Sequence, residues 1–481
     1  MALKLPKRHQ GFLFPPSIND MVGDDSPVRA YDAMIDAIDM SELGIAVDHN
    51  KAGNPEYDPC SMLKLLVYGY SYGIRSSRKL ERATHDNVSF IWLMGGLKPS
   101  YKTISEFRRL NSKALKKVIK QCAYMCVDLD LIAGNVLFVD GTKIRANASI
   151  SNSYTKEKAK KVLANIEKRI DKLIASCEQA DAEEEGQPSF AKLSKGLENA
   201  HKLKSKIEAI AEKLKRKDAP SSINTVDPDC CRTHGRQGSH AGFNGQVVVD
   251  EKHGLIVNSD VVNKNNDLGQ LSDQIEQANE VVGGKCETAC GDAGYCNYDK
   301  MNELVEKGIE VIVPSSKQAT QYNSDECTIK EFDKSRFIYD KENDVYICPE
   351  KKTLSCQGAN NTEKYYRYVA GVQCRKCRHF GVCTNSKRAG RRITRYFNEE
   401  FRDQMAMHYD KPSSKETYRK RKRYAELPFG HIKRNLNAGH FLLRGLDGVR
   451  AEMSLLSTCF NMARLINIFG VSALTAKLKA L

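Results

Sequence analysis

The sequence predicts an α+β chain: a mixed β-sheet core, split by two insertions and preceded by an all-helical domain. Three observations lead to this expectation. Residues 1–130 show helical periodicity with basic turns and no strand pattern. From 131 to about 320, short apolar, β-branched runs alternate with helical stretches. That alternation breaks twice, at a two-helix pattern over 154–219 and at a polar, cysteine-rich stretch over 321–395. A chain of 481 residues is too long for one ordinary core, so several modules are expected.

In the first domain, Ser61-Met-Leu-Lys-Leu-Leu-Val-Tyr-Gly-Tyr places its apolar residues on one helix face. A basic turn, Ile74-Arg-Ser-Ser-Arg-Lys-Leu-Glu-Arg82, follows it. Further on, Thr103 or Ser105 is the expected cap of a helix, with Glu106 three residues after Thr103. Compact helices with basic turns suit a helix-turn-helix-like DNA binder, and equally a helical assembly module. Gly134–Val139 then reads as a strand that ends at Asp140, within the segment 131–153.

Between 154 and 219, Val162, Ile166, Ile170, Leu173 and Cys177 share one face. Leu193, Leu197, Ala200, Leu203, Ile207, Ile210 and Leu214 repeat at spacings of three and four after a polar break. This predicts a helical hairpin, closed by Ala219-Pro-Ser-Ser222. Core signals return over 220–320. Phe243–Asp250 and Gly254–Val262 read as a β-hairpin, Asp267–Val282 as a helix, and Cys286–Cys290 as a strand leading to Asp292. Tyr298–Lys307 reads as a helix ended by Gly308, and Ile309–Pro314 as the last strand. The 321–395 stretch reads as irregular, and 396–481 as helices that include Glu426. With the insertions removed, this is the element order of an RNase H-like core, in which the first and fourth strands lie side by side.

The formal charge of +15 favours a polyanionic partner. From Thr384 to Arg434 there are 15 Lys and Arg against 6 Asp and Glu, so this stretch holds much of the excess. No apolar run approaches the length of a membrane span, and the first residues contain no apolar leader segment, so the sixteen cysteines are expected reduced, in a cytosol.

Within that basic chain stand three acids: Asp140 in Phe-Val-Asp-Gly-Thr-Lys, Asp292 in Cys-Gly-Asp-Ala-Gly-Tyr, and Glu426 in Tyr-Ala-Glu-Leu-Pro-Phe-Gly. An Asp-Gly after a strand is more often a turn than a catalytic site, and a glutamate in a basic helix is more often an ion-pairing partner. Placed at the ends of the first and fourth strands of one core, however, the two aspartates form the start of a carboxylate set. Three carboxylates suit two Mg²⁺ or Mn²⁺ ions, which drive in-line attack on a phosphodiester. Glu416 competes with Glu426 for the third place. Candidate phosphate contacts are Arg75, Arg78, Lys143, Arg145, Arg419, Lys422, Arg423 and Lys433.

These residues and their surroundings resemble the DDE transposases of bacterial insertion sequences, in the group called the eleven-eighty-two family. The resemblance runs through Leu63-Lys-Leu-Leu-Val-Tyr-Gly-Tyr, Gly73-Ile-Arg-Ser-Ser-Arg-Lys-Leu-Glu81 and Thr103-Ile-Ser-Glu-Phe-Arg-Arg. It continues in Asp140-Gly-Thr-Lys-Ile-Arg-Ala-Asn-Ala-Ser, Asp227-Pro-Asp229, Asn266-Asp267, Asp292-Ala-Gly-Tyr295, Glu426-Leu-Pro-Phe-Gly-His-Ile-Lys433 and Leu442-Leu-Arg-Gly-Leu446. It implies an RNase H-like fold, Mg²⁺-dependent cleavage at terminal inverted repeats, joining to target DNA, and a homodimer or higher synaptic assembly. Related transposases carry Tyr-x₂-Arg-x₃-Glu-x₆-Lys. Here Glu426 and Lys433 fit, but Arg419 and Lys422 stand in place of the tyrosine and arginine, and Tyr418 is one place early. Two other readings stay open: a metal-dependent nuclease that cuts without joining, and a non-catalytic DNA-binding regulator derived from a transposase.

Cys348, Cys374, Cys377 and Cys383 form a candidate Cys₄ zinc set around a Cys-x-x-Cys pair, with Cys356 and His379 as substitute ligands. The alternative is reduced, unliganded thiols in a loop. Cys60, Cys122, Cys126 and Cys459 read as small core residues.

Overall fold

The structure is a computed structural model that describes residues 17–45, 56–182, 188–216, 220–235, 238–322, 331–386 and 390–481. It divides into two compact units. The first takes the residues through 267 with 273–289 and 420–481, and the second takes 268–272 and 290–419.

In the first unit, strand β1 (Val136–Arg145) lies beside the long β5 (Gly238–Asp250), antiparallel, with Asp140 opposite Val247. The other edge of β5 carries β4 (Cys231–Gly235) near its start and β6 (Ile256–Val262) over its second half. β7 (Thr288–Cys290) flanks β1 on its far side, and Thr288 N donates to Asn135 O at 2.9 Å. Two of these features depart from expectation. β1 does not end at Asp140 but runs five residues further, because Gly141 pairs with Gln246 instead of turning. β4, with Thr233 fully buried, lies outside the pattern read as strand.

The helix Leu446–Phe469 is buried over most of its length and forms the centre of this unit. Its apolar residues account for the burial, and three of its buried polar residues, Ser454, Asn461 and Glu452, tie it to other elements. Ser454 Oγ accepts from Ile119 N at 3.0 Å, and Asn461 exchanges two 2.8 Å bonds with the backbone of Ile256 on β6. Glu452, at 0% exposure, pairs with Arg75 at 2.6 Å and accepts from the amides of Leu442 and Leu443. No single helix among the described residues is long and apolar enough to cross a membrane.

The helical domain packs around Pro59–Ser71, whose Met62, Leu63, Leu65, Leu66 and Val67 are buried and whose start is capped by Asp58 accepting from Ser61 N. The Tyr101–Leu110 helix begins earlier than expected. Ser100, not Thr103 or Ser105, is its cap, accepting from Thr103 N at 3.2 Å, while Glu106 pairs with Arg109.

The helices Lys156–Ala182 and Pro188–Lys215 pack on each other through Ala159, Ile166, Ile170, Ala200, Ile207, Ile210 and Leu214. Leu203, expected in that seam, is 41% exposed. The side chains of Cys177 and Leu193, and residue Ala219, lie outside the described residues. A two-residue ladder of β2 (Ser153–Tyr154) and β3 (Ile223–Asn224) closes the base of the pair.

In the second unit, β8 (Glu310–Ile312) accepts from Gly291 N at Ile312 O, 3.2 Å away. The helix Tyr298–Glu306 precedes it, and the chain turns between them at Gly308 (φ 75°). The stretch expected to be irregular is instead a five-stranded antiparallel sheet. It comprises β9 (Ile338–Asp340), β10 (Val345–Ile347), β11 (Thr353–Asn360), β12 (Tyr365–Val369) and β13 (Arg392–Tyr396), in the order β13-β12-β11-β10-β9. Mutual packing of Tyr339, Tyr346 and Tyr368 holds strands too short and polar to show an apolar alternation.

Breaking one half of the buried pair tests the architecture of the first unit. Arg75→Ala leaves the Glu452 carboxylate buried without its counter-charge, a loss of about 3–5 kcal/mol. Exposed Arg78→Ala should cost under about 1 kcal/mol. Urea unfolding of the two variants separates these values.

Candidate active site

Side chains alternate along a strand, so Phe138, Asp140 and Thr142 of β1 point to one face. That face meets the helix Pro412–Arg434. Tyr424 stacks on Phe138 (centroids 5.6 Å, planes 9° apart), Arg421 Nη1 lies 3.5 Å from Asp140 Oδ1, and Lys433 Nζ donates to Thr142 Oγ1 at 2.6 Å. Asp140 is 8% exposed, and its Oδ1 also accepts from Gly141 N at 2.9 Å. Burial pulls the Lys433 ammonium below the usual lysine range, while the nearby Asp140 charge opposes that shift. The result is a carboxylate on the central strand, faced by two cations.

The helix presents these groups because of its phase. Ala425, Phe429 and Ile432 are buried, and Arg421 precedes Ala425 by four residues, so the arginine lies on the apolar stripe that packs on the sheet. Glu426 is exposed and stands two turns before Lys433, on the same stripe of the helix as the lysine that reaches β1. Pro428 lies within the helix and leaves the carbonyl of Tyr424 without its i+4 amide. Glu416 is also exposed, ten residues before Glu426.

Asp292, in the second unit, caps the short turn Ala293–Tyr295, with Oδ1 accepting from Gly294 N at 2.8 Å. Among the described residues, no three His, Cys, Asp or Glu side chains converge closely enough to hold a metal ion.

The expected phosphate contacts divide by burial. Arg78, Arg145, Arg419, Lys422 and Arg423 are exposed. Arg145 ends β1 and lines an open cleft with Asn147, Ser149, His440 and Arg444. Lys143 points to the opposite face from Asp140, where it pairs with Asp267 at 3.7 Å. Asp267 in turn accepts from Asn244 and Gln246, both at 2.7 Å. Arg75 corrects the expectation: it is 4% exposed, and its guanidinium is taken up by Glu452 and the carbonyls of Asn437 and His440, so it cannot meet a phosphate.

Arg421 is the residue that the sequence reading missed. It sits inside the run Arg419–Arg423, where charge alone does not distinguish it. The signal that finds it is helical phase, since it shares the spacing of the buried Ala425, Phe429 and Ile432.

Two sequence-family models match the chain. One, a transposase domain (DUF772), matches residues 16–110, and the other, a transposase DDE domain, matches 347–466, a span that contains Glu426. Among solved structures, the chain is similar to a piggyBac transposase in a synaptic complex with hairpin DNA, determined by cryo-EM. Identity is 9%, over 95% of this chain and 79% of that one, with a TM-score of 0.33. No match was found among curated proteins. With a transposase domain in its first part and a transposase DDE domain in its last, the chain is a DNA transposase.

Changing Arg419, Lys422 and Arg423 together to Gln should flatten the salt dependence of DNA binding. Each lost phosphate contact removes about 0.9 from the slope of log K against log salt, so the triple variant should lose about 2.7. Fluorescence anisotropy on a labelled duplex from low to high salt gives the slope.

Proposed function

We propose that this DNA transposase cuts the ends of an insertion sequence and joins them to target DNA, using Asp140, Asp292 and Glu426 as the acids of its reaction centre. The observation that supports the reading best is Asp140: a nearly buried carboxylate on an inner strand, faced by Arg421 at 3.5 Å and by Lys433 two residues along. An isolated ion pair on a protein surface needs no such setting. Two cations beside one carboxylate suit a site that handles phosphates and metal ions.

In this reading the core is RNase H-like, with β6, β5, β1, β7 and β8 as its third, second, first, fourth and fifth strands, interrupted by the helical pair and by the cysteine-rich sheet. Three carboxylates are hard oxygen donors, a set that fits Mg²⁺ or Mn²⁺. Bound between them, two such ions supply activation of the attacking water or 3′-hydroxyl and stabilisation of the leaving oxygen.

The protein's own residues do the rest. The Gly141 amide orients Asp140, and Arg421 balances its charge when no other cation is present. Lys433, held against Thr142 and partly stripped of water, is ready to exchange that hydroxyl for a phosphate oxygen. Arg419, Lys422 and Arg423, on the exposed part of the same helix, hold the backbone of the terminal inverted repeat in register. Double-stranded target DNA, a homodimer or higher synaptic assembly, and action in the bacterial cytoplasm complete the reading.

The test is cleavage of DNA carrying the source element's own ends, with and without Mg²⁺, by wild type, Asp140→Asn, Asp292→Asn and Glu426→Gln. Wild type should nick at the ends, and each variant should bind the DNA but lose nicking to background. Binding without cutting by wild type would sink the reading in favour of a regulator. Cutting without joining of a pre-cleaved 3′-OH end would make the protein a nuclease. Activity retained by Glu426→Gln alone would move the third acid to Glu416.

A further inference from the structure

We propose that Cys348, Cys374, Cys377 and Cys383 bind one structural zinc ion that closes the small sheet of the second unit. The inference does not depend on the three acids and stands or falls separately from them.

The four thiols come from three places in the chain. Cys348 follows β10, Cys374 and Cys377 flank the end of the turn Gly371–Lys376, and Cys383 lies in the loop before β13. All four line one small pocket, whose apolar wall includes Phe332, Phe337 and Leu354. All four are free thiols. The fully buried Cys122, Cys126 and Cys459 lie on helices, and the fully buried Cys290 on a strand. Cys348, Cys374, Cys377 and Cys383 are only partly buried and sit on turns and loops, where packing alone gives no reason to gather sulfur.

The backbone around them has the form of a thiolate cradle. Lys352 N donates to Cys348 Sγ at 3.3 Å, across a tight turn in which Lys351 has φ 56° and donates to Cys348 O at 2.8 Å. Arg391 N donates to Cys374 Sγ at 3.5 Å. Amide donors to sulfur favour the anionic thiolate, the form that ligates a metal. Beside Cys374 the chain passes so closely that a Cβ on Gly390 (φ +68°) would stand 2.8 Å from the Cys374 Cβ.

The sheet also needs a staple. Its core is six buried side chains, Phe337, Tyr346, Leu354, Tyr368, Ala370 and Ile393, with Cys348, Cys356, Cys374 and Cys383 packed at the margin. A core of that size gives little stability alone, and a metal cross-link is a common remedy. As placed, no three of the sulfurs converge to ligand distance, so binding has to draw the loop-borne thiols inward. Four thiolates select zinc or iron over the hard cations. Cys356 does not line the pocket, and His379 is engaged with Glu350 at 3.3 Å, which leaves the four cysteines as the set.

The test uses the full-length protein, purified without added metal. Elemental analysis should find about one zinc per chain, as expected of a closed Cys₄ site. Cys374→Ser with Cys377→Ser should lose that zinc, whereas Cys356→Ser and Asp140→Asn should keep it. Should the double variant fail to fold, the wild type still decides. Exchange with Co²⁺ should give the intense visible bands of tetrahedral thiolate cobalt, and thiol-blocking reagents should release the zinc. A folded wild type that holds neither zinc nor cobalt overturns the proposal. So does iron in place of zinc, or zinc lost with Cys356→Ser and retained by the double variant.

Discussion

The first unit is organised around one buried charge. Glu452 has no exposure, and a carboxylate so placed survives only if every lone pair it presents is met. Its partners come from two distant stretches: the guanidinium of Arg75, 377 residues away in sequence, and the amides of Leu442 and Leu443 just before its own helix. Arg75 in turn binds the carbonyls of Asn437 and His440, and Arg108 binds Arg75 O at 2.8 Å. The segment 437–446 is thereby fixed against the helical domain. That segment runs along the end of β1, where Phe441 N donates to Arg145 O at 2.8 Å and Arg444 Nε to Asn147 O at 3.0 Å. The helix that carries Lys433 ends at Arg434, directly before it. A buried ion pair thus sets the register between the strand of Asp140 and the helix that faces it.

The cost of that arrangement explains its completeness. Burying an ion pair gains little over well-packed apolar residues, but removing one partner is expensive. What the pair provides is specificity, because only one docking of the helical domain satisfies Glu452 and all its donors. The face of β1 that holds Asp140 follows the same logic in milder form. Phe138 fixes the helix by stacking on Tyr424, and the polar contacts at Asp140 and Thr142 then fall into place one strand pleat apart. The apolar contact comes first along the strand and Asp140 sits just beyond it.

Much of this was legible in the sequence where a single period dominates. The runs around Phe243–Asp250 and Gly254–Val262 are the hairpin of β5 and β6, and the three-and-four spacing of Ile166, Ile170, Ile207 and Ile210 is the seam of the paired helices. The reading failed where local chemistry and tertiary context disagree. Asp140-Gly141 has the composition of a turn, yet β5 on one side and β7 on the other keep it extended. The five-stranded sheet escaped notice because its strands are as short as three residues and each contributes only one or two apolar or tyrosine side chains to the core, too few to show an alternation. The three candidate acids are singled out by residue type and neighbours, not by any periodicity.

Charge was the least reliable guide to position, for a physical reason. An arginine is equally basic whether it meets DNA, a carboxylate or an aromatic ring, and its role is decided by helical phase and burial. Much of the basic excess between Thr384 and Arg434 is spent inside the second unit. Arg391 donates to Cys383 O and Phe332 O, Arg395 lies over the Tyr339 ring at 4.0 Å, and Arg402 lies over Tyr396 at 3.5 Å and Tyr298 at 4.3 Å. Arg75 and Arg421 are consumed in the same way by acids of the first unit. Arg419, Lys422 and Arg423 are among the residues that face solvent, on the exposed side of the helix whose buried side addresses Asp140. Helical phase thus divides one basic run into a stripe that packs on the strand of Asp140 and a stripe left to solvent.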